Sequence, residues 1–223
     1  EKLDALEAFH PKRVADRTIE GFTVKDVIRE NGSVIGISGV SEGNREERFD
    51  GRIVIGADGF NSIVARKLDL YQHDPKHWVV ALRQYYSGVK GLDNQIELHF
   101  IDEVMPGYFW LFPIEENLAN IGIGMLHQYI KANDVDLRVA LDNAINTVFR
   151  DRFEGAVALE EPIGWNLPVG SSHRPNHGNG FMLLGDAAGL IDPFTGEGIG
   201  NAFYSAKFAV DVARSAINAD DVS

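Results

Sequence analysis

The sequence predicts a mixed α/β fold, and two patterns carry that prediction. Two short apolar runs, Ile53–Ile55 and Phe181–Leu184, are each followed by a glycine, an acidic residue and a helical pattern. Such runs are typical of strands buried on both faces of a parallel sheet. The residues between them form strand-like runs that predict a mostly antiparallel sheet. With 223 residues and 44% hydrophobic content, the chain is long enough for one large or two small domains.

The first part of the chain predicts a helix followed by a three-stranded antiparallel meander. The segment Glu1–Phe9 has a helical pattern. Asn31-Gly32 is a strong tight-turn signal, and Glu42-Gly43-Asn44 marks a second turn. These turns separate three strand-like runs: Arg17–Ile19 with Phe22–Ile28, Val34–Val40, and Glu46–Phe49.

The first apolar strand leads into a turn, Gly56-Ala57-Asp58-Gly59, and then a helix over Ile63–Leu68. Ser62 is a suitable N-cap for this helix, because a serine oxygen accepts hydrogen bonds from the first N–H groups of a helix. Asp58 has two open interpretations at this stage. It is either a capping residue or a ligand-binding carboxylate.

The middle of the chain predicts an antiparallel sheet covered by a helix. The apolar spacing over Asp134–Phe153 is helical, and we expect this helix to cover the sheet. The strand-like runs are Trp78–Tyr86, Gln95–Ile101, Phe109–Pro113, Ala119–Met125 and Ile163–Val169.

Three aromatic residues alternate along one of these strands. Tyr108, Trp110 and Phe112 are two positions apart, so their rings are expected on one face of the strand. That face is either part of the core or a binding surface, and alternation alone does not decide between the two.

A glycine-rich turn follows the second apolar strand and precedes the last predicted helix. A helix leaves its first four N–H groups without partners, and glycines allow a flat or anionic ligand to approach them. We therefore expect the Asp186 carboxylate and these N–H groups at one edge of the sheet. Regular structure is interrupted by Pro193, Gly196, Gly198 and Gly200. The helix is predicted by apolar residues at three-and-four spacing: Ile199, Ala202, Phe203, Ala206, Ala209, Val210, Ala213 and Ile217.

Composition argues against several functional classes. The chain has no cysteine, so it offers neither a disulfide scaffold nor a thiolate metal site. Its formal net charge of −12 argues against nucleic acid and anionic lipid as partners. No apolar run reaches the roughly 20 residues of a membrane span, so we expect a cytoplasmic protein, with a peripheral membrane contact still allowed. His173 and His177 lie in a Pro/Gly-rich loop without a nearby third ligand, and we expect no metal site.

The stretch from Gly185 to Asn201 resembles the second flavin fingerprint of the para-hydroxybenzoate hydroxylase-like superfamily of FAD-dependent hydroxylases and reductases. The resemblance implies that Asp186 holds a ribitol or ribose hydroxyl of FAD. It also implies that the helix start faces the isoalloxazine ring. The cofactor-binding residues implied by this stretch are Gly185, Asp186, Pro193, Gly196, Gly198, Ile199, Gly200 and Asn201.

The earlier turn is similar to the DG fingerprint of the same superfamily. The resemblance implies that Asp58, Gly59 and Arg66 contribute to the FAD site, and the motif is also linked to nicotinamide cofactor binding. It further implies the remainder of a Rossmann-like FAD domain with an antiparallel meander, plus an antiparallel substrate-binding sheet domain. The expected division is residues 1–70 for the first part of the FAD domain, 71–175 for the substrate domain and 176–223 for the return to the FAD domain.

The aromatic segment looks like the Tyr-x-Trp-x-Phe-Pro signature of geranylgeranyl reductases, which runs into an Asn-x-Gly-x-Gly strand. The resemblance implies that Tyr108, Trp110, Phe112 and Pro113 border a cavity for an isoprenoid chain beside the flavin. The implied reaction is FAD-dependent saturation of isoprenoid C=C bonds on a lipid, quinone or chlorophyll precursor, with electrons from NAD(P)H or another donor. In this sequence the Asn-x-Gly-x-Gly residues are Asn120, Gly122 and Gly124.

Two alternatives stay open. A flavin-dependent monooxygenase or halogenase uses the same fingerprints, and the halogenase signature Trp-x-Trp-x-Ile-Pro is close to the aromatic segment. The other alternative is a binding module without catalysis. The residue spacing singles out no catalytic acid and indicates no oligomeric state.

One expected element is absent from the sequence. No Gly-x-Gly-x-x-Gly follows a strand before residue 180. We therefore expect the pyrophosphate-binding βαβ unit upstream of Glu1. We also expect FAD to bind weakly, or not at all, to residues 1–223 alone.

Overall fold

The computed structural model describes residues 17–71 and 73–223, so the helix predicted over Glu1–Phe9 lies outside the described residues. The described chain contains a three-stranded meander, a small sheet with one parallel strand pair, and a larger antiparallel sheet. The predicted mixed α/β class, with a mostly antiparallel second sheet, is confirmed.

The elements are numbered in chain order. The strands of the described residues are β1 (Thr23–Glu30), β2 (Ser33–Ser41), β3 (Arg45–Asp50), β4 (Val54–Gly56), β5 (Trp78–Ser87), β6 (Glu97–His99), β7 (Gly107–Glu115), β8 (Leu118–Leu126), β9 (Val157–Ala158), β10 (Ile163–Pro168), β11 (His177–Gly178) and β12 (Phe181–Leu183). The helices are α1 (Ile63–Lys67), α2 (His127–Asn133), α3 (Leu137–Asn143), α4 (Arg150–Phe153), α5 (Gly185–Ala188) and α6 (Ile199–Ala219).

The meander pairs β1, β2 and β3 antiparallel in that order. Asn31 and Gly32 have φ values of 50° and 84°, as a two-residue hairpin turn of this type requires. The three predicted strands are confirmed, except that Arg17–Ile19 does not belong to the first strand.

The small sheet brings the two acid-bearing turns side by side. Strands β4 and β12 run parallel, with Gly56 opposite Leu183. The carboxyl ends of parallel strands meet at one edge of a sheet, which is where ligands bind in many α/β folds. The turns that carry Asp58 and Asp186 both leave from this edge. Ile55 in β4 is 45% exposed, so burial of this strand on both faces is not achieved within the described residues.

The large sheet has the strand order β10-β5-β8-β7-β6, and β9 pairs with β5. All of these pairings are antiparallel. The strand predicted over Gln95–Ile101 is shorter than expected, because only Glu97–His99 pairs with β7. The other predicted strands of this sheet are confirmed.

Helices on one face of the large sheet enclose the main core. Phe109 and Leu111 of β7 and Ile121 and Ile123 of β8 point to this face and are fully buried, in one cluster with Leu141 of α3. The opposite face therefore carries the residues that alternate with them. Tyr108, Trp110 and Phe112 belong to that opposite face, as their spacing predicted.

The single helix predicted over Asp134–Phe153 is wrong in detail. Helix α3 begins at Leu137, because the Asp136 carboxylate accepts a hydrogen bond from the N–H group of Arg138 at 2.8 Å and caps the helix there. A π-helical turn over Ala144–Val148 then separates α3 from α4. Apolar spacing predicts helical structure but not such a local change of hydrogen-bond pattern.

Helix α6 starts at Ile199, directly after the glycine-rich turn, and extends for 21 residues. Phe203, Tyr204 and Phe208 are exposed on its surface. Within residues 17–71 and 73–223, every helix is too short or too polar to cross a membrane. The proposed domain boundaries after residues 70 and 175 stay a prediction.

Candidate functional site

The glycine-rich turn is held in shape by the side chain of Asp192. Its carboxylate Oδ1 accepts hydrogen bonds from the N–H groups of Phe194 at 3.0 Å and Thr195 at 2.7 Å, and from the Thr195 hydroxyl at 2.8 Å. The Thr195 N–H first, and then the Thr195 hydroxyl, lower the pKa of the Asp192 carboxyl. The turn that leads to α6 is therefore built around an ionised carboxylate.

Two more side chains fix the start of α6. The Glu197 carboxylate accepts a hydrogen bond from the N–H group of Gly200 at 2.5 Å. The Asn201 amide donates a hydrogen bond to the carbonyl oxygen of Leu190 at 2.8 Å. Because these contacts tie the first turn of α6 to the preceding loop, the N-terminal end of the helix has a defined position.

Asp186 lies in α5 with a half-buried carboxylate that points toward the start of α6. A Cβ atom on Gly198 would lie 3.5 Å from its Oδ1 atom. Within the described part of the chain, the Asp186 side chain makes no hydrogen bond. Burial raises the pKa of this carboxyl above its usual value. A half-buried carboxylate without a donor is a site that a ligand hydroxyl can satisfy.

The turn Gly56-Ala57-Asp58-Gly59 and the start of α1 are together called the DG turn. Its polar side chains make contacts within the chain. The Asp58 carboxylate accepts hydrogen bonds from the N–H groups of Ile63 at 2.7 Å and Val64 at 3.3 Å, so it caps α1. Ser62 caps the same helix through Ala65, as predicted. Arg66 donates a hydrogen bond to Asn61 and lies over the ring of Tyr71. Gly59, with φ at 73°, forms the turn. Cofactor contacts of Asp58, Gly59 and Arg66 stay a prediction.

An apolar cavity of about 290 Å³ lies between the open face of the large sheet and the glycine-rich turn. Tyr108 and Trp110 of β7 line it on the sheet side, and Pro193, Phe194 and Gly196 line it on the turn side. Its further wall residues from the sheet and its connecting loops are Val79, Ala81, Phe100, Met105, Pro106, Gly107, Gly124, Met125, Leu126, Leu167 and Val169. The cavity thus joins the sheet to the loop that precedes α6.

Tyr108 links the two sides of this cavity. Its hydroxyl donates a hydrogen bond to the carbonyl oxygen of Thr195. A Cβ atom on Gly196 would lie 2.8 Å from the Tyr108 oxygen, so a side chain at this position would collide with the tyrosine. Burial, and to a smaller extent the charge of Asp192, raises the pKa of the Tyr108 hydroxyl, which therefore stays protonated at neutral pH.

The four residues of the aromatic signature separate into two pairs. Tyr108 and Trp110 line the cavity, whereas Phe112 and Pro113 do not. The ring of Phe112 lies beyond Trp110, with the two centroids 6.1 Å apart. Pro113 borders a separate, polar surface hollow near Leu92. Substrate contacts for Phe112 and Pro113 stay a prediction.

Residues 79–160 match the family model for the geranylgeranyl reductase catalytic domain. The chain is also 34% identical over 201 residues to digeranylgeranylglycerophospholipid reductase 2 of Methanococcoides burtonii, a match that covers 89% of this chain and 47% of that protein. The chain belongs to the geranylgeranyl reductase family. A second relative, the digeranylgeranylglycerophospholipid reductase of Thermoplasma acidophilum, is 32% identical over 203 residues. That match covers 88% of this chain and 49% of the relative, so the chain spans about half the length of these reductases.

The fold agrees with membership of the geranylgeranyl reductase family. A geranylgeranyl bacteriochlorophyll reductase-like protein of Thermoplasma acidophilum superimposes with a TM-score of 0.87 at 30% identity, covering 99% of this chain and 54% of that one. The myxobacterial chondrochloren halogenase superimposes with a TM-score of 0.77 at 20% identity, covering 100% of this chain and 52% of that one. At that identity the likeness to the halogenase shows a common fold alone.

Several site residues were not found by sequence reasoning. Asp192 and Thr195 form a side-chain-to-backbone turn, and the spacing Asp-Pro-Phe-Thr is a signal for it. Glu197 was not expected to cap α6. The cavity residues Val79, Ala81 and Leu167 carry no motif, since the alternation of β5 and β10 indicates a face but not its use.

Proposed function

We propose that the protein containing this chain is an FAD-dependent reductase that saturates C=C bonds of a geranylgeranyl chain carried by a lipid. The observation that carries this proposal is the apolar cavity between Trp110 and the glycine-rich turn before α6. It supports an apolar substrate next to the predicted flavin site. The relatives' names, digeranylgeranylglycerophospholipid reductase, favour a lipid over a quinone or chlorophyll precursor.

The residues at the turn fit FAD. Asp186 would accept a hydrogen bond from a ribityl or ribose hydroxyl, because its half-buried carboxylate lacks a donor within the described residues. Around the start of α6 the contacts would come from backbone, since glycines leave room for a ligand there, and the Gly200 N–H, which donates to Glu197, would have to exchange that partner to take part. FAD held by these residues would, in its reduced form, supply the hydride that adds to one carbon of the double bond. The proposed turn residues are Gly185, Pro193, Gly196, Gly198, Ile199, Gly200 and Asn201.

The residues of β7 would bind and orient the isoprenoid. Tyr108 and Trp110 present apolar ring surface, and an isoprenoid chain offers almost no polar atoms for recognition. Its binding must therefore depend on shape and on buried apolar surface, which contributes about 25 cal/mol of binding free energy per Å². Tyr108 also holds the turn against the sheet through Thr195, which fixes the distance between the substrate cavity and the predicted flavin site. The other carbon of the double bond would take a proton from water or a side chain.

We further propose an electron donor and a location for the whole enzyme, and a low FAD affinity for residues 1–223 alone. Its electron donor is NAD(P)H or another reductant, on the basis of the DG turn. It is cytoplasmic and contacts the membrane surface to reach a lipid substrate. Residues 1–223 alone bind FAD weakly, because no glycine-rich pyrophosphate loop precedes residue 180.

A flavin-dependent halogenase or monooxygenase is the main alternative, and oxygen separates the two proposals. The full-length protein is loaded with FAD, reduced without oxygen by one equivalent of dithionite, and then mixed with a geranylgeranyl phospholipid. A reductase reoxidises its flavin by transfer to the lipid, so flavin absorbance returns without oxygen. A halogenase or monooxygenase shows no return until oxygen is admitted, and that result would contradict the proposal.

A further inference from the structure

Trp110 forms the end wall of the apolar cavity. Gly124 lines the cavity, but Gly122 does not, although Gly122 is the cross-strand partner of Trp110. A Cβ atom on Gly122 would lie 2.3 Å from Cζ2 and 2.6 Å from Cη2 of Trp110. The indole therefore lies directly on the backbone of this glycine, and the cavity stops where the ring begins.

Asn120 fixes the orientation of this ring. The indole Nε1 donates a hydrogen bond to Asn120 Oδ1 at 2.8 Å. An indole has a single N–H donor, so Asn120 satisfies its whole polar requirement. Tyr108 and Phe112 contact the ring only through their aromatic faces and edges, with centroids 6.4 Å and 6.1 Å away. Apolar contacts of this kind allow a ring to turn, whereas a hydrogen bond selects one orientation.

The open face of the sheet continues beyond the wall. Next to Gly122 and Asn120 on the neighbouring strand β5 are Arg83 and Tyr85. Arg83 forms an ion pair with Glu160 and also lies over the Tyr85 ring, so its charge is compensated. A Trp110 ring that swung away from Gly122 would therefore open a shallow extension of the cavity along β8.

We propose that Asn120 is a positioning residue that sets the length of isoprenoid chain admitted to the cavity, because it holds Trp110 across Gly122. This inference rests on the proposed function, since it assumes that an isoprenoid occupies the cavity. The Trp110 ring limits the length of the cavity, and the hydrogen bond to the Asn120 amide holds the ring in place. This hydrogen bond is called the latch below. Loss of the latch lengthens the cavity without changing the residues near the glycine-rich turn.

The test uses the FAD-loaded full-length protein and measures binding rather than turnover. Saturated isoprenoid alcohols that differ by one isoprene unit are titrated by calorimetry into wild type, Asn120→Leu and Asn120→Asp. Leucine has a similar size but no acceptor, whereas aspartate keeps an acceptor for the indole N–H. Gly122→Ala is unsuitable, because its Cβ would also lie 2.1 Å from the Leu82 carbonyl oxygen.

In wild type and Asn120→Asp, affinity should rise with chain length and stop rising at the same alcohol. In Asn120→Leu the rise should continue by one isoprene unit, with that longer alcohol bound up to about tenfold more tightly than by wild type, the size of one hydrogen bond. With Trp110→Phe already present, Asn120→Leu should have no further effect, because the donor is gone. If Asn120→Leu does not fold, Asn120→Ala carries the same expectation.

An unchanged length limit in a folded Asn120→Leu or Asn120→Ala protein would overturn the latch. A shifted limit in Asn120→Asp would also overturn it, since the acceptor is retained there. If wild type binds none of the alcohols, the proposed function fails instead, and that result is distinct from either of the others.

Discussion

The hydroxyl of Tyr108 in β7 donates a hydrogen bond to the carbonyl oxygen of Thr195, 87 positions further along the chain. This contact connects the aromatic face of the large sheet to the turn that precedes α6. A cavity residue and the predicted flavin loop are thereby held together. A substitution on the sheet side of this contact should therefore alter the turn, and a substitution in the turn should alter the cavity.

Tyr108→Phe removes this hydrogen bond and keeps the ring. A typical net contribution is about 0.5–1.5 kcal/mol. In the full-length enzyme we expect the KM for a prenyl substrate to rise by as much as about tenfold, because the turn loses its attachment to the sheet. Tyr129→Phe is the control, since the Tyr129 side chain is exposed on α2. Equal KM values for the two variants would show that the hydroxyl does not shape the site.

Asp186→Asn should weaken FAD binding and stabilise the protein without FAD at neutral pH. The carboxylate is half-buried, and burial raises its pKa in the folded state. Ionisation is therefore easier in the unfolded chain, with its pKa of about 3.9. The associated stability is present below that pH and is lost as pH rises through the folded pKa. Asparagine has no charge to bury.

Two measurements check the Asp186 prediction. Thermal melts of both proteins without FAD should differ most near pH 7 and converge near pH 4, with Asp186→Asn the higher at neutral pH. Flavin titration should show a loss of about ten- to a hundredfold in affinity for Asp186→Asn or Asp186→Ala. Unaltered flavin affinity would leave Asp186 as a turn residue only.

Gly198→Val should disturb the start of α6. A Cβ atom there would lie 3.1 Å from Ile191 Cγ1, so the larger side chain displaces the first helical turn. The helix dipole contributes about 0.3–2 kcal/mol near an anionic group. We expect a lower flavin midpoint potential in the full-length protein, or loss of FAD. Gly51→Val is a suitable control, because its nearest neighbour would be 3.6 Å away. If Gly198→Val keeps the flavin midpoint potential of wild type, the start of α6 does not influence that potential.

Trp110→Ala distinguishes two roles for Trp110, binding of the substrate and packing in the core. Trp110 is partly exposed, whereas its neighbour Phe109 is fully buried on the other face of β7. We expect Trp110→Ala to raise the KM for a geranylgeranyl substrate with a small change in melting temperature. Phe109→Ala, the matched control, should lose about 3–5 kcal/mol of stability. A collapsed melt for Trp110→Ala, with unaltered kinetics in the surviving protein, would assign the ring to the core and the substrate elsewhere.

The sequence was informative where a pattern has one structural meaning. Two apolar runs, each followed by a glycine and an acid, predicted neighbouring strand ends, and β4 and β12 are indeed adjacent. Alternation also predicted the common face of Tyr108 and Trp110. The meander followed from its turn residues, because Asn31 and Gly32 suit positive φ.

The sequence was less informative where side-chain orientation depends on a distant strand. Alternation did not predict that the cavity ends at Trp110 and leaves Phe112 outside, because that limit depends on Asn120 and Gly122 across the sheet. It also left two interpretations of Asp58 open. The structure shows a cap on α1, which local spacing allowed but did not require.

The most direct test of the central claim is the mass of the product made by the full-length, FAD-loaded protein from a geranylgeranyl phospholipid. The flavin is first reduced by one equivalent of dithionite, which leaves none to consume oxygen, and the single turnover is run once without oxygen and once with oxygen and bromide. We predict that the lipid gains two hydrogens for each saturated bond in the anaerobic reaction, with no oxygen or halogen added in either. A lipid that keeps its hydrogen count without oxygen, and gains oxygen or bromine when both are supplied, would contradict the reductase assignment.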